Sequence, residues 1–447
     1  MIQKLPAARQ ARVAALFVSV VGLAACGGGG GGGGGLPPGP PQQPPSTPLN
    51  LADCTALPAA GVDHRYLNAA VSGAWGKRVW QAANSLSFPE ATHARLDYAA
   101  ASDAQPAEIW YFKADAATRT TLGFEKVQGG TVTLRDRYEG WVESRALAEG
   151  ASETIDYTVH RLLPAGASSS ERRVRTFTAS RETTLPGGRI NTCMVDTVRH
   201  RSVPSSAPLG EFERERVHYA PGVGVVKRYL TPTHMTYLFD RNQVYFNELV
   251  TTNATPTWVA PPATTAPTLA ACAAIVTGQT MEYTANDTTE AVSNERRTAS
   301  NTFNGAAAVA MGRRNALSDT LYQVSYFGTA AGALQELGYQ LYASNQVTST
   351  VTLSGRGDLS TTAQGQTTNY TESTNKDGVT TTSDNSFTFV GHEKVSTYAG
   401  DFDTCKVRFD YQSGNSETFY LSPDVYWVRL DAVVNNVRTT REMVKLN

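Results

Sequence analysis

Apolar and polar residues alternate along much of this chain. Thr154-Ile-Asp-Tyr-Thr-Val-His160 and Arg173-Val-Arg-Thr-Phe-Thr-Ala179 keep a period of two, with a Gly/Ser-rich turn between them. That period sends successive side chains to opposite faces of an extended backbone, the mark of a half-buried strand. The same reading covers Val347–Leu353, Thr367–Glu372, Val379–Ser383 and Phe387–Val390. Asn375-Lys-Asp-Gly378 sits between two of these runs and signals a hairpin. Helical periodicity is scarce, and short helices are expected only within Gly305–Ala316 and Ala330–Tyr342. The pattern predicts a mainly β protein: two tandem antiparallel curved-sheet or partial-barrel domains after a disordered tether.

An ordered set of landmarks occurs twice. Each half opens alike, with Leu51-Ala-Asp-Cys54 and Leu269-Ala-Ala-Cys272. Late in each come a Gly, a β-like run and a second Cys, Gly188-Arg-Ile-Asn-Thr-Cys193 and Gly400-Asp-Phe-Asp-Thr-Cys405. An acid precedes each, Glu182 and Glu393. Tyr219-Ala-Pro-Gly-Val-Gly-Val-Val-Lys227 and Tyr420-Leu-Ser-Pro-Asp-Val-Tyr-Trp-Val-Arg429 follow, and each half closes on Glu-apolar-Val, Glu248–Val250 and Glu442–Val444. Five landmarks in one order imply a duplicated domain. A Thr/Pro-rich stretch over 251–268 divides the body into a β-domain over 50–250 and a second over 269–447.

Residues 1–26 form an export signal. Lys4, Arg9 and Arg12 precede a short apolar run, Val13–Gly22, that ends in Leu23-Ala-Ala-Cys26. This ending resembles the lipobox of bacterial lipoproteins at all four positions. The resemblance implies a diacylglyceryl group on the Cys26 thiol, cleavage before Cys26, and acylation of the new amino terminus. An ordinary cleaved signal, with Cys26 a bystander, is the competing reading. Gly27 stands where an Asp retains such proteins at the inner membrane, so the implied address is the outer membrane, lipid-anchored, at its periplasmic face or on the cell surface. A tether over 27–49 follows, a glycine run to Gly35 and then a proline-rich segment to Pro48. Its stiff part could extend on the order of 40 Å.

The runs around Cys193 and Cys405, with the Tyr-x-Pro-Gly-Val-Gly motif after the first, resemble uncharacterised bacterial periplasmic proteins and lipoproteins. Those are similar to the half-barrels of the Lol lipoprotein carriers. The first half departs at Arg189-Ile190 and the second at Asp424 and Tyr426-Trp427. The resemblance implies a fold and little about activity.

Cys26 apart, the cysteines number four, and an exported chain favours disulfides. The repeat selects Cys54 with Cys193 and Cys272 with Cys405 among three connectivities; four free thiols are the alternative. Such long loops would add at most about 4–5 kcal/mol per bridge.

Charge alters the picture little. The chain has 447 residues with 39 Lys+Arg against 40 Asp+Glu, and no long basic run, so no footprint for nucleic acid. Losing the leader's three cations leaves a small negative charge. No stretch beyond the leader is long and apolar enough for a transmembrane helix. No metal-ligand spacing or nucleophile motif emerges, so no cofactor, metal or catalytic residue is expected and the chain reads as non-enzymatic. Asp196, His200 and Ser202 lie close together, and Gly355-Arg-Gly-Asp358 contains an adhesin-like tripeptide; a strand face and a turn account for them. Trp75, Trp80, Trp110, Trp141, Trp258 and Trp427 could line a groove or fill a core. The reading is an envelope lipoprotein, partnered with the membrane through its lipid, that binds an apolar ligand or another envelope protein. A surface-displayed adhesion or assembly protein is the alternative.

Overall fold

The computed structural model describes residues 49–66, 76–202, 209–232, 245–259, 267–275, 277–285, 293–315, 320–330, 333–356, 359–423, 425–435 and 437–446. Cys26, the export signal and residues 27–48 of the tether lie outside the described residues, as does Trp75.

The first half contains a one-turn helix α1 (Leu51–Cys54) and the strands β1 (Asp63–Tyr66), β2 (Lys77–Ala82), β3 (His93–Tyr98), β4 (Glu108–Ala114), β5 (Thr118–Gln128), β6 (Thr131–Glu139), β7 (Val142–Ser144), β8 (Ser152–Leu163), β9 (Ser169–Leu185), β10 (Gly188–Arg201), β11 (Gly210–Ala220), β12 (Gly224–Pro232), β13 (Tyr245–Thr252) and β14 (Trp258–Val259). The second contains α2 (Leu269–Cys272), β15 (Thr280–Ala285), β16 (Ser293–Phe303), β17 (Ala306–Asn315), β18 (Leu321–Ala330), β19 (Ala333–Ala343), β20 (Gln346–Ser354), a 3-10 turn over Leu359–Thr361, β21 (Thr367–Lys376), β22 (Val379–Ser396), β23 (Asp401–Asp410), β24 (Ser416–Ser422), β25 (Tyr426–Val434) and β26 (Val437–Leu446). Strands β15 to β26 close a barrel in chain order. In the first half β1 pairs with β13 and β10 with β11, so the same ring closes, with β7 beside β5 and β14 beside β10 as additions. Closure leaves no free edge in either ring, which suits long exposed hairpins. The two expected tandem antiparallel β-domains are present, each closed fully into a barrel.

Two expected helices are strands. Gly305–Ala316 supplies β17 and Ala330–Tyr342 supplies β19. Their alanines and leucines favour helix locally, but the backbone groups of both segments are taken by ladders on each side. Val379–Ser383 and Phe387–Val390 belong to one long strand, β22. Asn375–Gly378 forms the turn between β21 and β22, with Asp377 at φ 49° and Gly378 at φ 89°, as a tight two-residue hairpin requires. The stretch over 251–268 begins inside a strand, since Thr251 and Thr252 pair with Arg65 and His64.

The duplication runs deeper than its sequence landmarks. Each one-turn helix is tied to its barrel by a disulfide, Cys54–Cys193 on β10 and Cys272–Cys405 on β23. Tyr66 on β1 donates to the Val225 carbonyl at 2.9 Å, and Tyr283 on β15 donates to the Trp427 carbonyl at 3.0 Å. Phe88 stacks on Tyr111 at 4.5 Å over Gly123, and Phe303 stacks on Tyr326 at 4.6 Å over Gly338. A Cβ on Gly123 would collide with Phe88 and the Asp136 carbonyl, and one on Gly338 with Phe303 and the Val351 carbonyl. Both glycines are the price of an aromatic ring lying flat on the barrel wall.

The two barrels meet through matching strands. Ser180 faces Cys193, and His392 faces Cys405. In this register Arg181, not Glu182, is the counterpart of Glu393. A bond from Thr184 Oγ1 to the Lys394 carbonyl and one from Ser396 Oγ to the Glu182 carbonyl, both 2.8 Å, are then the same contact made twice. The motif ends repeat the exchange. Lys227 lies opposite Glu248, and Arg429 opposite Glu442, on neighbouring strands. Across the interface Lys227 Nζ reaches Glu442 at 2.6 Å, while Arg429 donates twice to Glu248 at 2.7 and 2.9 Å. All four side chains are 0% exposed, so the charges satisfy one another out of water. Tyr229 also donates to Glu442 and packs on Tyr398.

Candidate functional site

The most informative site is the interior of barrel 1. Alternation on β2, β4 and β12 turns Trp80, Trp110, Phe112, Arg228 and Leu230 inward, around a cavity of about 370 Å³. That volume is within the range of small-molecule sites. The segment after α1, Thr55–Pro58, also lines it, held there by the Cys54–Cys193 bridge. For the apolar ligand that the sequence suggested, the wall is unexpectedly polar, carrying arginines and glutamates among its aromatic rings.

Each ion pair of this wall sits beside a ring. Arg78 and Arg95 share Asp97 at 2.9 and 2.8 Å, and Arg95 lies 5.3 Å from the Trp110 ring. Arg119 pairs with Glu143 and lies 5.5 Å from the Tyr219 ring. Arg173 lies 4.4 Å above Trp141 and reaches Glu215 at 3.1 Å, while Arg228 meets Glu215 from the other side. Arg199 bonds Glu171 at 2.9 Å. Trp110, Phe124, Tyr138, Trp141 and Tyr157 form a continuous ring stack along the same wall. A guanidinium that pairs with a carboxylate and lies on a ring keeps its fork rigid and partly desolvated.

Among the described residues, six arginines line this wall against four glutamates, Glu108, Glu143, Glu213 and Glu215. Burial pushes the Glu143 carboxyl up, but Arg119, Arg175 and Arg173 outweigh it and hold the group at about 2. Glu215 follows the same logic: burial opposes ionisation, Arg228 and Arg173 prevail, and its carboxyl is lowered. Trp80 Nε1 is buried without a hydrogen-bond partner.

β7 makes the difference between the barrels here. In barrel 1 the chain between β6 and β8 enters as Trp141-Val-Glu143. In barrel 2 the connection between β20 and β21 carries Leu359, which joins a single apolar cluster with Cys272, Phe389, Phe409, Phe419 and Trp427. Of the expected tryptophans, Trp80, Trp110 and Trp141 line the cavity, Trp427 stacks on Tyr283 at 3.8 Å in that core, and Trp258 covers the Gly187–Gly188 turn.

Other sequence candidates do not converge. Asp196 is held by Arg216 at 2.7 Å, so it does not orient His200. Arg356 turns inward to Glu336 at 3.0 Å and to Glu372, while Gly357 and Asp358 lie outside the described residues, as does His234. His64 and His218 are buried. Burial first, then Arg78, lowers His64 to about 3. Burial, then Lys227, lowers His218 well below its ordinary range while Thr183 bonds it at 2.8 Å. Among the described residues no cluster of His, Cys, Asp and Glu is arranged to hold a metal. The arginine wall escaped sequence reading. Its one signal was the run Phe212-Glu-Arg-Glu-Arg-Val217, where strand alternation sends Glu213 and Glu215 inward and Arg216 outward to Asp196.

No family model matches the chain, and no curated protein does. Two solved structures are similar to parts of it. One is a candidate lipoprotein of Parabacteroides distasonis, 14% identical over 38% of this chain and 96% of its own, with a TM-score of 0.25. The other is a candidate exported protein of Bacteroides fragilis with a YmcC-like fold, 12% identical over 45% of this chain and 99% of its own, with a TM-score of 0.24.

Proposed function

We propose that this chain is a lipid-anchored envelope lipoprotein that binds a small organic molecule inside barrel 1. Cys26 and its lipobox support the anchor, and Gly27 supports the outer membrane as its address. The observation that carries the binding role is the 370 Å³ cavity, bounded by rings and guanidiniums on closely paired strands. Barrel 2 serves as a rigid partner, joined through the buried Lys227–Glu442 and Arg429–Glu248 exchange. The role we read is non-enzymatic: the cavity's arginines Arg78, Arg95, Arg119, Arg173, Arg199 and Arg228 are all engaged in ion pairs.

Two measurements test this. Mass spectrometry of the intact protein from its native envelope should show Cys26 as an acylated amino terminus; an unmodified Cys26 defeats the anchoring claim. Organic extraction of the same protein should release one recurring small molecule, and its repeated absence counts against the binding role. The adhesion alternative gains nothing from Arg356, whose side chain is committed to Glu336 and Glu372.

A further inference from the structure

The cavity's wall is specific about charge. Arg173 and Arg199 lie directly opposite each other on β9 and β10. Two like charges in that position repel, and Glu215, Glu171 and Glu213, the last directly opposite Arg199 on β11, offset this from the sides. Arg173 is also clamped over Trp141, so its guanidinium is oriented before any ligand arrives. Trp80 adds a buried indole N–H with no acceptor. Oriented donors, an excess of lining arginines over lining glutamates and flat rings around one cavity suit a molecule that is both acidic and planar.

We propose that barrel 1 takes a ring compound bearing an anionic group, its acid held by Arg173 and Arg199 and its ring seated among Trp80, Trp110 and Trp141. This rests on the reading of barrel 1 as a binding barrel. The acid's identity, whether carboxylate, sulfonate or phosphate ester, matters less than its charge, because guanidinium forks donate to the oxygens of each.

Two dyes of the same skeleton isolate that charge. 8-Anilinonaphthalene-1-sulfonate carries a sulfonate, and N-phenyl-1-naphthylamine lacks it. Each is titrated against residues 27–447, which include every described residue of both barrels, with energy transfer from tryptophan as the readout. The sulfonated dye should bind at least about tenfold more tightly. Arg173→Gln and Arg199→Gln, made separately, should each remove most of that advantage and leave the neutral dye's affinity within about twofold. Equal binding of the two dyes to the unaltered chain overturns the anion preference and leaves the binding barrel standing. Binding of neither dye overturns both. A preference that survives both substitutions places the anion elsewhere and overturns the assignment. If both variants fail to fold, the two-dye comparison on the unaltered chain still decides the preference. Competition by inorganic phosphate and by benzoate then separates the phosphate and carboxylate sources of the anion.

Discussion

Barrels 1 and 2 share strand order, bridge, tyrosine clamp and ring-on-glycine lock, yet they are filled differently. Barrel 2 gathers most of its buried apolar residues into one large cluster from α2 to β26, with a small second one around Tyr339, Val351 and Leu353. Barrel 1 divides its own among several small clusters and spends its interior on arginines, glutamates and a ring stack. Duplication preserved the shell, where backbone ladders and close ring contacts tolerate little change. The interior diverged, because any set of side chains that fills or satisfies the lumen keeps the ring closed.

The interface between the barrels offers the largest test. Glu248→Ala leaves Arg429 short of its bidentate partner in a fully buried setting, and Glu442→Ala takes from Lys227 its 2.6 Å partner and from Tyr229 its acceptor. Each should destabilise the chain by about 3–5 kcal/mol. Replacing Lys227 and Glu442 together by Met should cost much less than either alone. Urea unfolding measures this, and a simple sum of the single effects would break the reciprocal picture.

Filling comes next. Phe409→Ala, inside the barrel 2 cluster, should cost about 3–5 kcal/mol because it opens a void among packed neighbours. Phe112→Ala enlarges an existing cavity in barrel 1 and should cost about half as much. Equal losses by thermal unfolding would mean that barrel 1 is as tightly packed as its twin.

The barrels should also answer pH in opposite senses. His64 has its folded value lowered to about 3, so its contribution is complete above the unfolded value and is lost as pH falls. With an unfolded value near 6.5, that loss is about 2 kcal/mol by pH 5. His218 adds to the same trend. Glu417 in barrel 2 is raised by burial to about 8, even though Tyr411 donates to it at 2.8 Å. Its contribution is complete below the unfolded value of about 4.5 and is lost as pH rises through 8, by about 3 kcal/mol at pH 7. Stability measured from pH 5 to 8 should therefore steepen on the acid side in Glu417→Gln, and lose part of its acid dependence in His64→Gln. Unchanged slopes would remove the contrast.

The smallest effect sharpens what the barrels share. Tyr66→Phe and Tyr283→Phe each delete the hydrogen bond to the equivalent carbonyl together with a hydroxyl contact to a buried arginine, Arg78 and Arg297 respectively. Each should cost about 1 kcal/mol, and the two losses should match within a few tenths. A loss confined to one barrel would show that the clamp is inherited geometry with unequal energetic weight.

Much of the shell was legible in order along the chain. Cys54, Cys193, Cys272 and Cys405 sat at matching places, Asn375–Gly378 announced its turn, and period-two runs became strands. The alignment of Glu182 with Glu393 was one residue off, because counting back from a cysteine ignores which residue faces it across the ladder. Gly305–Ala316 and Ala330–Tyr342 were read as helix because alanine and leucine carry no signal of the strands on either side. The cavity was the least legible part. An arginine on a strand looks the same whether it faces water or a lumen, and only ring closure decides which.

The chain by itself determined its repeat, its β character and the pairing of its four bridging cysteines, because these depend on local pattern and order. Tertiary structure alone decided that the sheets close, that Lys227 and Arg429 exchange acids across two barrels, and that barrel 1 keeps a cavity walled by ion pairs and rings while barrel 2 packs a large apolar cluster beside its buried ion pairs. Those outcomes turn on which face of a strand points inward. A shift of one residue reverses that face, and only the assembled ring sets it.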